Sequence, residues 1–396
     1  MIDHAKALGG PIAEESIPRF APHRAPAGEL IRDMCEHRLN DVPAFEIELE
    51  GQAMPMDVSV AMATYNGERY LAEQLASITG QTLLPSELVV SDDGSTDATL
   101  EILEAFARTA PFPVTVMRNE KNLGFADNFL HAAEACQCSL IAFADQDDVW
   151  LPDKLRQGAA RIVNDDSLLS MHTLTVTDEA LLPTGFHWDQ GIKGDTVHAP
   201  LELDPFGTGW GNTMMFRRAV VHFIARQKRP PQPFNSKKPL SHDTWVYVLS
   251  AALGGVSHIA APLILYRQHA SNATGQTKSR RRNKLASLMS VPIIEYREHA
   301  KFDAYMAELF ADASLQSTPF AATAQEAATC FARRSAYWSS RVGVFDNKTV
   351  ASRLQAYRET RLLTGRAPLW FGSRMKDLVL GVFGLGSTWV GRALLR

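Results

Sequence analysis

The sequence predicts an α/β fold: a Rossmann-like, mostly parallel sheet flanked by helices, followed by a helical C-terminal region. Two observations carry this. Strand-like runs begin near residues 57, 87, 113 and 139, with a helical pattern between each pair. Polar clusters then fall where these strands end: Thr64-Tyr65-Asn66, Asp92-Asp93, Arg118-Asn119 and Asp145-Asp147-Asp148. A parallel sheet binds its ligands at the carboxyl ends of its strands.

Residues 1–54 read as an N-terminal extension with scattered prolines, mixed charge and one helix expected over 28–38. Asp57–Tyr65 (DVSVAMATY) puts Val58, Val60 and Met62 on one face and small residues on the other, which is a strand pattern. Gly67–Ile78 follows, with Leu71, Leu75 and Ile78 at helical spacing. Glu87–Ser91 is a second strand and Thr96–Arg108 a second helix, which Ser95 or Thr96 can cap. Pro113–Met117, Gly124–Cys136, Ser139–Ala144 and Leu151–Val163 continue the alternation, the last with Pro152 near its first turn. After about residue 170 the rhythm loosens. Trp210–Arg217 reads as a strand or buried turn, and Arg226–Pro239 as a proline-rich basic loop. His242–Leu253 reads as a helix, Gly255–Tyr266 as a strand and 285–365 as helical. The expected organisation is an extension over 1–54, an α/β domain over 55–275 and a helical region over 276–396.

The 396 residues are 45% apolar, enough for a substantial core, and the net charge of −4 gives no case for a nucleic-acid binder. Cys35, Cys136, Cys138 and Cys330 lack zinc or thioredoxin spacing and read as free thiols in a reducing compartment. The first twenty residues have no apolar run, so a secretory signal is not expected. The longest apolar run, Leu378–Val390, is too short to cross a bilayer. A cytoplasmic protein is expected.

Five segments carry candidate chemistry. Asp145, Asp147 and Asp148 place three carboxylates together at a strand end. A hard divalent cation relieves their repulsion, and oxygen ligands select Mg²⁺ or Mn²⁺. The alternative, an acid capping the next helix, needs only one of the three. Asp92 and Asp93, in SDDGSTD, can bond a base or ribose hydroxyl, or simply close a turn. Ser91 stands where a haloacid-dehalogenase phosphatase needs its nucleophilic Asp, which excludes that chemistry. Tyr65 can flank a base or belong to an ordinary loop. Asp243, in HDTW, can take a proton from an acceptor hydroxyl, or be an acid favoured at a helix start. Arg267 and His269, in YRQH, can contact a diphosphate and a metal, or mark a surface strand end.

These segments, in this order, resemble the family 2 glycosyltransferases of the GT-A fold, most of all their bacterial rhamnosyltransferase-like branch. The matching stretches are VSVAMATYNGERYLAEQLASITGQT (58–82), ELVVSDDGSTDAT (87–99), NLGFADNF (122–129), FADQDDVWLPDKL (143–155), HDTW (242–245) and LILYRQHASNATG (263–275). The resemblance implies an inverting, metal-dependent transferase that moves a sugar from a UDP- or dTDP-linked donor to a glycan or lipid-linked acceptor in surface polysaccharide synthesis. It implies that Thr64, Tyr65, Asn66 and Glu68 line the base pocket. Asp93 would bind base or ribose with Asp92 beside it, and Asn122, Gly124 and Asn128 would shape the donor wall. Asp145 and Asp147 form the Asp-x-Asp pair, Asp147 for the metal and Asp145 for ribose or metal. Asp148 would hold the donor sugar, and Arg267 and His269 would face the diphosphate, with His269 able to complete the metal site. Asp243 matches the catalytic base, with His242 where many members have Glu. Trp210, Gly211 and Asn212 fall where the family places its acceptor wall. Trp150 and Trp245, read from residue type, are either platforms for a sugar's CH face or members of the core.

Two other classes fit the sequence less well. A non-catalytic sugar-nucleotide module is disfavoured by the intact acids at 145, 147 and 243. A nucleotidyltransferase needs a Gly-rich basic loop after the first strand, where this chain has TYNGERY. Basic runs at 226–229, 237–238 and 278–284 and an aromatic, basic tail over 369–396 suit an anionic membrane surface, so peripheral attachment at the inner leaflet is expected.

Overall fold

The computed structural model describes residues 56–205, 209–233, 235–270, 293–312 and 319–363. The N-terminal extension, Cys35, the basic run at 278–284 and the tail over 369–396 lie outside them.

β1 (Val58–Thr64) leads through α1 (Leu71–Thr79) to β2 (Glu87–Asp92), α2 (Thr99–Ala107) and β3 (Val114–Arg118). α3 (Phe125–Ala135), β4 (Leu140–Ala144), the short β5 (Val149–Trp150) and α4 (Lys154–Asn164) follow. β1 pairs in parallel with β2 and β4, and β2 with β3. The alternation expected from the sequence is therefore present. α2 starts later than expected and is not capped by Ser95 or Thr96. Asp97 Oδ1 accepts from Thr99 N at 3.0 Å and Glu68 Oε2 from Ala98 N at 2.9 Å, so two acids cap the helix.

Beyond β4 the sheet becomes mixed. It contains β6 (Ser167–Thr177), β7 (Pro183–Trp188), β8 (Thr196–His198), β9 (Met214–Arg217) and β12 (Gly255–Arg267). The order is β3-β2-β1-β4-β9-β6-β12-β5, with β7 beside β6 and β8 beside β12. β9 runs antiparallel between β4 and β6, whereas β6 and β12 are parallel. α5 (Ala219–Phe223) and α6 (His242–Leu253) flank a small hairpin, β10 (Pro231–Gln232) with β11 (Asn235–Pro239). That hairpin replaces the expected basic loop. α7 (Ile293–Ala311), α8 (Ala321–Asp346) and α9 (Val350–Leu363) form the helical region.

Every residue of β6 is buried, yet the sequence pattern did not show it as a strand. Its polar side chains hide the apolar signal. Ser170 Oγ donates to Gly158 O at 3.1 Å and Thr173 Oγ1 to Ala260 O at 2.8 Å, so these groups are satisfied inside.

Successive β2 residues serve opposite faces. Leu88 and Val90 join Leu71, Leu75, Leu155 and Ile162 in one core, while Val89 joins Phe129, Phe143 and Phe216 in the other. The second core continues through Trp245 to Met306, Phe310 and Phe331 of α7 and α8. The helical region thus packs on the α6 face of the sheet and shares its core. Trp245, at 1% exposure, belongs to that core and is no sugar platform; Trp150, at 2%, is likewise buried. Trp245→Ala is expected to cost about 3–5 kcal/mol of stability, as removal of a large buried ring does. Denaturant unfolding measures this loss.

Candidate active site

The loops after β1 and β2 are knitted together. Asn66 adopts φ 48°, a left-handed conformation that Asn tolerates better than most residues. In that pose its Oδ1 accepts from Thr96 N at 2.9 Å, and its own N donates to Ser95 Oγ at 2.9 Å. Gly67 N donates to Thr99 Oγ1 at 2.7 Å. Tyr65 stands out at 53% exposure, an aromatic face open to solvent at the strand end. Its backbone N and O bond the Gln146 carboxamide at 2.9 and 3.1 Å. Gln146 thereby joins the base-side loop to the acidic loop, a role the sequence did not reveal. A Cβ on Gly67 would lie 2.4 Å from Gln146 Oε1, so glycine is what lets that carboxamide in.

Several expected donor-binding residues turn inward. Asp92, fully buried, accepts from Ser95 N at 2.9 Å, Gly94 N at 3.1 Å and Thr64 Oγ1 at 2.9 Å. Asp93, also buried, holds the following turn: its carboxylate accepts from Leu123 N at 2.7 Å and Gly124 N at 2.9 Å. Asn122 Nδ2 donates to Asp93 O at 3.2 Å, and Asn128 Nδ2 to Ser91 O at 2.9 Å. Gly124, at φ 79°, makes the turn possible. These residues set the shape of the pocket wall through the backbone. Glu68 caps α2 through Ala98 N.

At the end of β4, Asp145 and Asp147 are half-buried and Asp148 is fully buried. Burial, then the charges of Asp147 and Asp243, push Asp145 up to about 8, with Lys154 pulling it down. The charge of Asp243 therefore reaches Asp145 although Asp243 comes from α6. Burial and the charges of Asp147 and Asp145 also raise Asp148 well above the usual carboxylate range. Asp148 was expected at the donor sugar. Its oxygens are instead bonded within the protein, Oδ2 by Asn212 Nδ2 at 2.6 Å and Oδ1 by Arg267 N at 3.2 Å, so it fastens the loop. His269 Nε2 lies 2.8 Å from Asp147 Oδ2, which accepts from the imidazole. Among the described residues no three His, Cys, Asp or Glu side chains are grouped to hold a metal by themselves. The chemistry of the set, carboxylates held against their own repulsion beside an imidazole, fits a hard cation whose other ligands come from elsewhere.

Arg267 was expected to face a diphosphate. Its guanidinium is 3% exposed and spent inside: Nε donates to Asp147 O at 3.0 Å, Nη1 to Glu179 O at 2.7 Å, and Nη2 pairs with Glu73. It also lies 4.5 Å over the Tyr70 ring. Arg267 is a strut beneath the acidic loop. Lys154 was missed by sequence reasoning because it lies six residues past Asp148, in the next helix. It is 2% exposed, and its Nζ donates to Asn212 O at 2.7 Å and meets His172 Nε2 at 2.8 Å. Burial lowers it to about 7, with Asp148 and Asp145 holding it up.

Asp243 sits in the first turn of α6 and is half-buried. Its Oδ1 accepts from Thr244 N at 2.6 Å and from the Ser241 hydroxyl. His242 is a ring in an aromatic stack, parallel to Phe129 at 4.2 Å and edge-on to Phe143 at 5.0 Å. A Cβ on Gly211 would lie 2.6 Å from His242 Nε2, so Gly211 leaves room for that ring. Burial, with the Arg229 charge, lowers His242 to about 4 against the pull of Asp243. Trp210 is half-buried, stacked on Trp188 at 5.2 Å.

Residues 59–224 match the model of Glycosyl transferase family 2. A dTDP-rhamnosyl transferase of Shigella flexneri is 28% identical over 228 residues, covering 54% of this chain and 73% of the relative. An uncharacterized glycosyltransferase of Haemophilus influenzae is 26% identical over 248 residues, covering 60% and 73%. Among solved structures, S. aureus TarS 1–349 in complex with UDP-GlcNAc aligns at TM-score 0.47 and 21% identity, covering 82% of this chain and 89% of that one. Over residues 59–224 the chain is therefore similar to the family 2 glycosyltransferases, and the mixed sheet described above spans that stretch.

A histidine with a depressed pKa stabilises the fold while neutral, and this stability is lost as pH falls from 6.5 towards about 4. His242→Phe is expected to reduce that acid slope in thermal unfolding scans. Some slope remains from His258, also lowered to about 4 by burial.

Proposed function

We propose that the chain is an inverting, metal-dependent glycosyltransferase that moves a sugar from a UDP- or dTDP-linked donor to a glycan or lipid-linked acceptor in surface polysaccharide synthesis. The observation that carries this reading is the group of acids at the end of β4, where Asp147 lies 2.8 Å from His269 and Asp145 feels the charge of Asp243 from α6. One acid group is then available for the acceptor and another for the donor's charge.

Asp243 suits the role of base. Ser241 and Thr244 fix its Oδ1. The acceptor hydroxyl would give its proton to Asp243 as its oxygen bonds to the anomeric carbon, and the bond from that carbon to the diphosphate would break on the opposite face. Asp147 and His269, with Asp145 beside them, would hold Mg²⁺ or Mn²⁺, which supplies charge neutralisation for the diphosphate. Tyr65 offers its ring to the base, with Thr64, Asn66 and the Asp93-held turn shaping the pocket. The relative named as a dTDP-rhamnosyl transferase supports a nucleotide-sugar donor.

Asp243→Asn is expected to lower turnover by at least about a hundredfold, as loss of a general base does, while nucleotide still raises the melting temperature. Near-normal turnover would remove Asp243 from the role. No helix among the described residues is long and apolar enough to cross a membrane. For the peripheral attachment proposed from the basic run and tail, deletion of 369–396 is expected to shift the protein out of the membrane fraction; unchanged sedimentation would end that idea.

A further inference from the structure

We propose that β7 carries a second acceptor subsite, which binds sugar rings behind the one being extended; this rests on the transferase reading above. The topology places β7 at the mouth of the site. β12 covers one edge of β6. Along the other edge β9 pairs with Leu169–Met171, and β7 pairs further on with Leu174–Thr177. β9 also pairs with β4. β7 therefore continues the line of β9 past the end of β4, where Asp145 begins.

Four rings form a row there. Tyr266 meets Trp210 edge-on at 5.0 Å, Trp210 stacks on Trp188 at 5.2 Å and 26°, and Phe186 follows at 5.9 Å from Trp188. Phe186 and Trp188 share a face of β7 because they are two apart in a strand. The inner end of the row is tied to the acidic loop. Tyr266 precedes Arg267, and Trp210 precedes the turn whose Asn212 holds Asp148. The outer end is open, with Phe186 at 53% exposure. The turn before β7 is pinned to the same rim, since Glu179 O accepts from Arg267 and its carboxylate pairs with Arg69 at 2.7 Å.

Anchoring a hairpin to the core accounts for Trp188 and Trp210, which both pack against it. It does not account for an exposed Phe186 at the end of the row. The inner rings of the row cover one another, and Phe186 at its end leaves a ring exposed that suits the CH face of a pyranose. The exposed polar neighbours Thr184 and Asp189 suit sugar hydroxyls better than a lipid chain.

The test applies the full-length protein to an array of immobilised bacterial surface glycans that includes matched mono- and oligosaccharides. Wild type, Phe186→Ala and Phe186→Tyr are compared. Wild type is expected to be retained by oligosaccharides but not by the matching monosaccharides. Phe186→Ala should bind about tenfold more weakly at an unchanged melting temperature, and Phe186→Tyr should bind as wild type does. Equal retention of monosaccharides, undiminished binding by Phe186→Ala, or retention by no glycan would overturn the proposal. So would Phe186-dependent binding to polyprenyl phosphate vesicles with no binding to free oligosaccharides, which would make the row a lipid groove. Thermal shift of the wild type with nucleotide sugars and Mn²⁺ is read separately. Its failure would remove the transferase reading, whereas failure on the array alone would remove only the subsite.

Discussion

The structure is organised around carboxylates crowded at the end of one buried strand. Asp145, Asp147 and Asp148 leave β4 together, and the charge of Asp243, from α6, adds to theirs at Asp145. Repulsion between such groups grows as water is excluded. Burial and mutual charge therefore raise Asp145 and Asp148 above the ordinary carboxylate range. The protein answers from below with the buried Lys154, with the Asn212 amide on Asp148, and with Arg267 on the carbonyl of Asp147. The charge is offset at the base of the cluster and left to a ligand at its mouth.

Around this cluster the loops are fastened to one another more than to anything outside. Gln146 spans from the acidic loop to Tyr65. Asp92 and Asp93 spend their carboxylates on the turns beside them. Arg267 ties β12, the β6–β7 turn and α1 to the same point through Glu179 and Glu73. Such fixed backbone keeps the pocket in shape before anything binds, which limits the ordering cost of recognition.

Much of the fold was legible in sequence because local pattern decided it. β1, β2, β4, α6 and β12 fell close to where periodicity put them, and the family likeness agreed. β6 escaped because its serines and threonines satisfy their hydrogen bonds inside the sheet, which no one-dimensional pattern shows. The β10–β11 hairpin escaped because prolines and lysines read as loop. Within the site, residue type and position single out Asp145, Asp147, His269 and Asp243, and Asp147 does stand beside His269. Asp148 and Arg267 bond to the protein itself, and Trp245 lies in the core. Lys154 and Gln146 were passed over because neither residue type announces a role without its neighbours.

The sequence by itself determined the alternation of strands and helices, the acids at strand ends and the family likeness, since these depend on spacing and on residue chemistry. Only the tertiary structure decided which polar groups face the cleft and which are consumed by the frame. A carboxylate or guanidinium carries the same chemistry in either place. Its partners, supplied by segments distant in the chain, settle whether any of that chemistry is left over for a ligand.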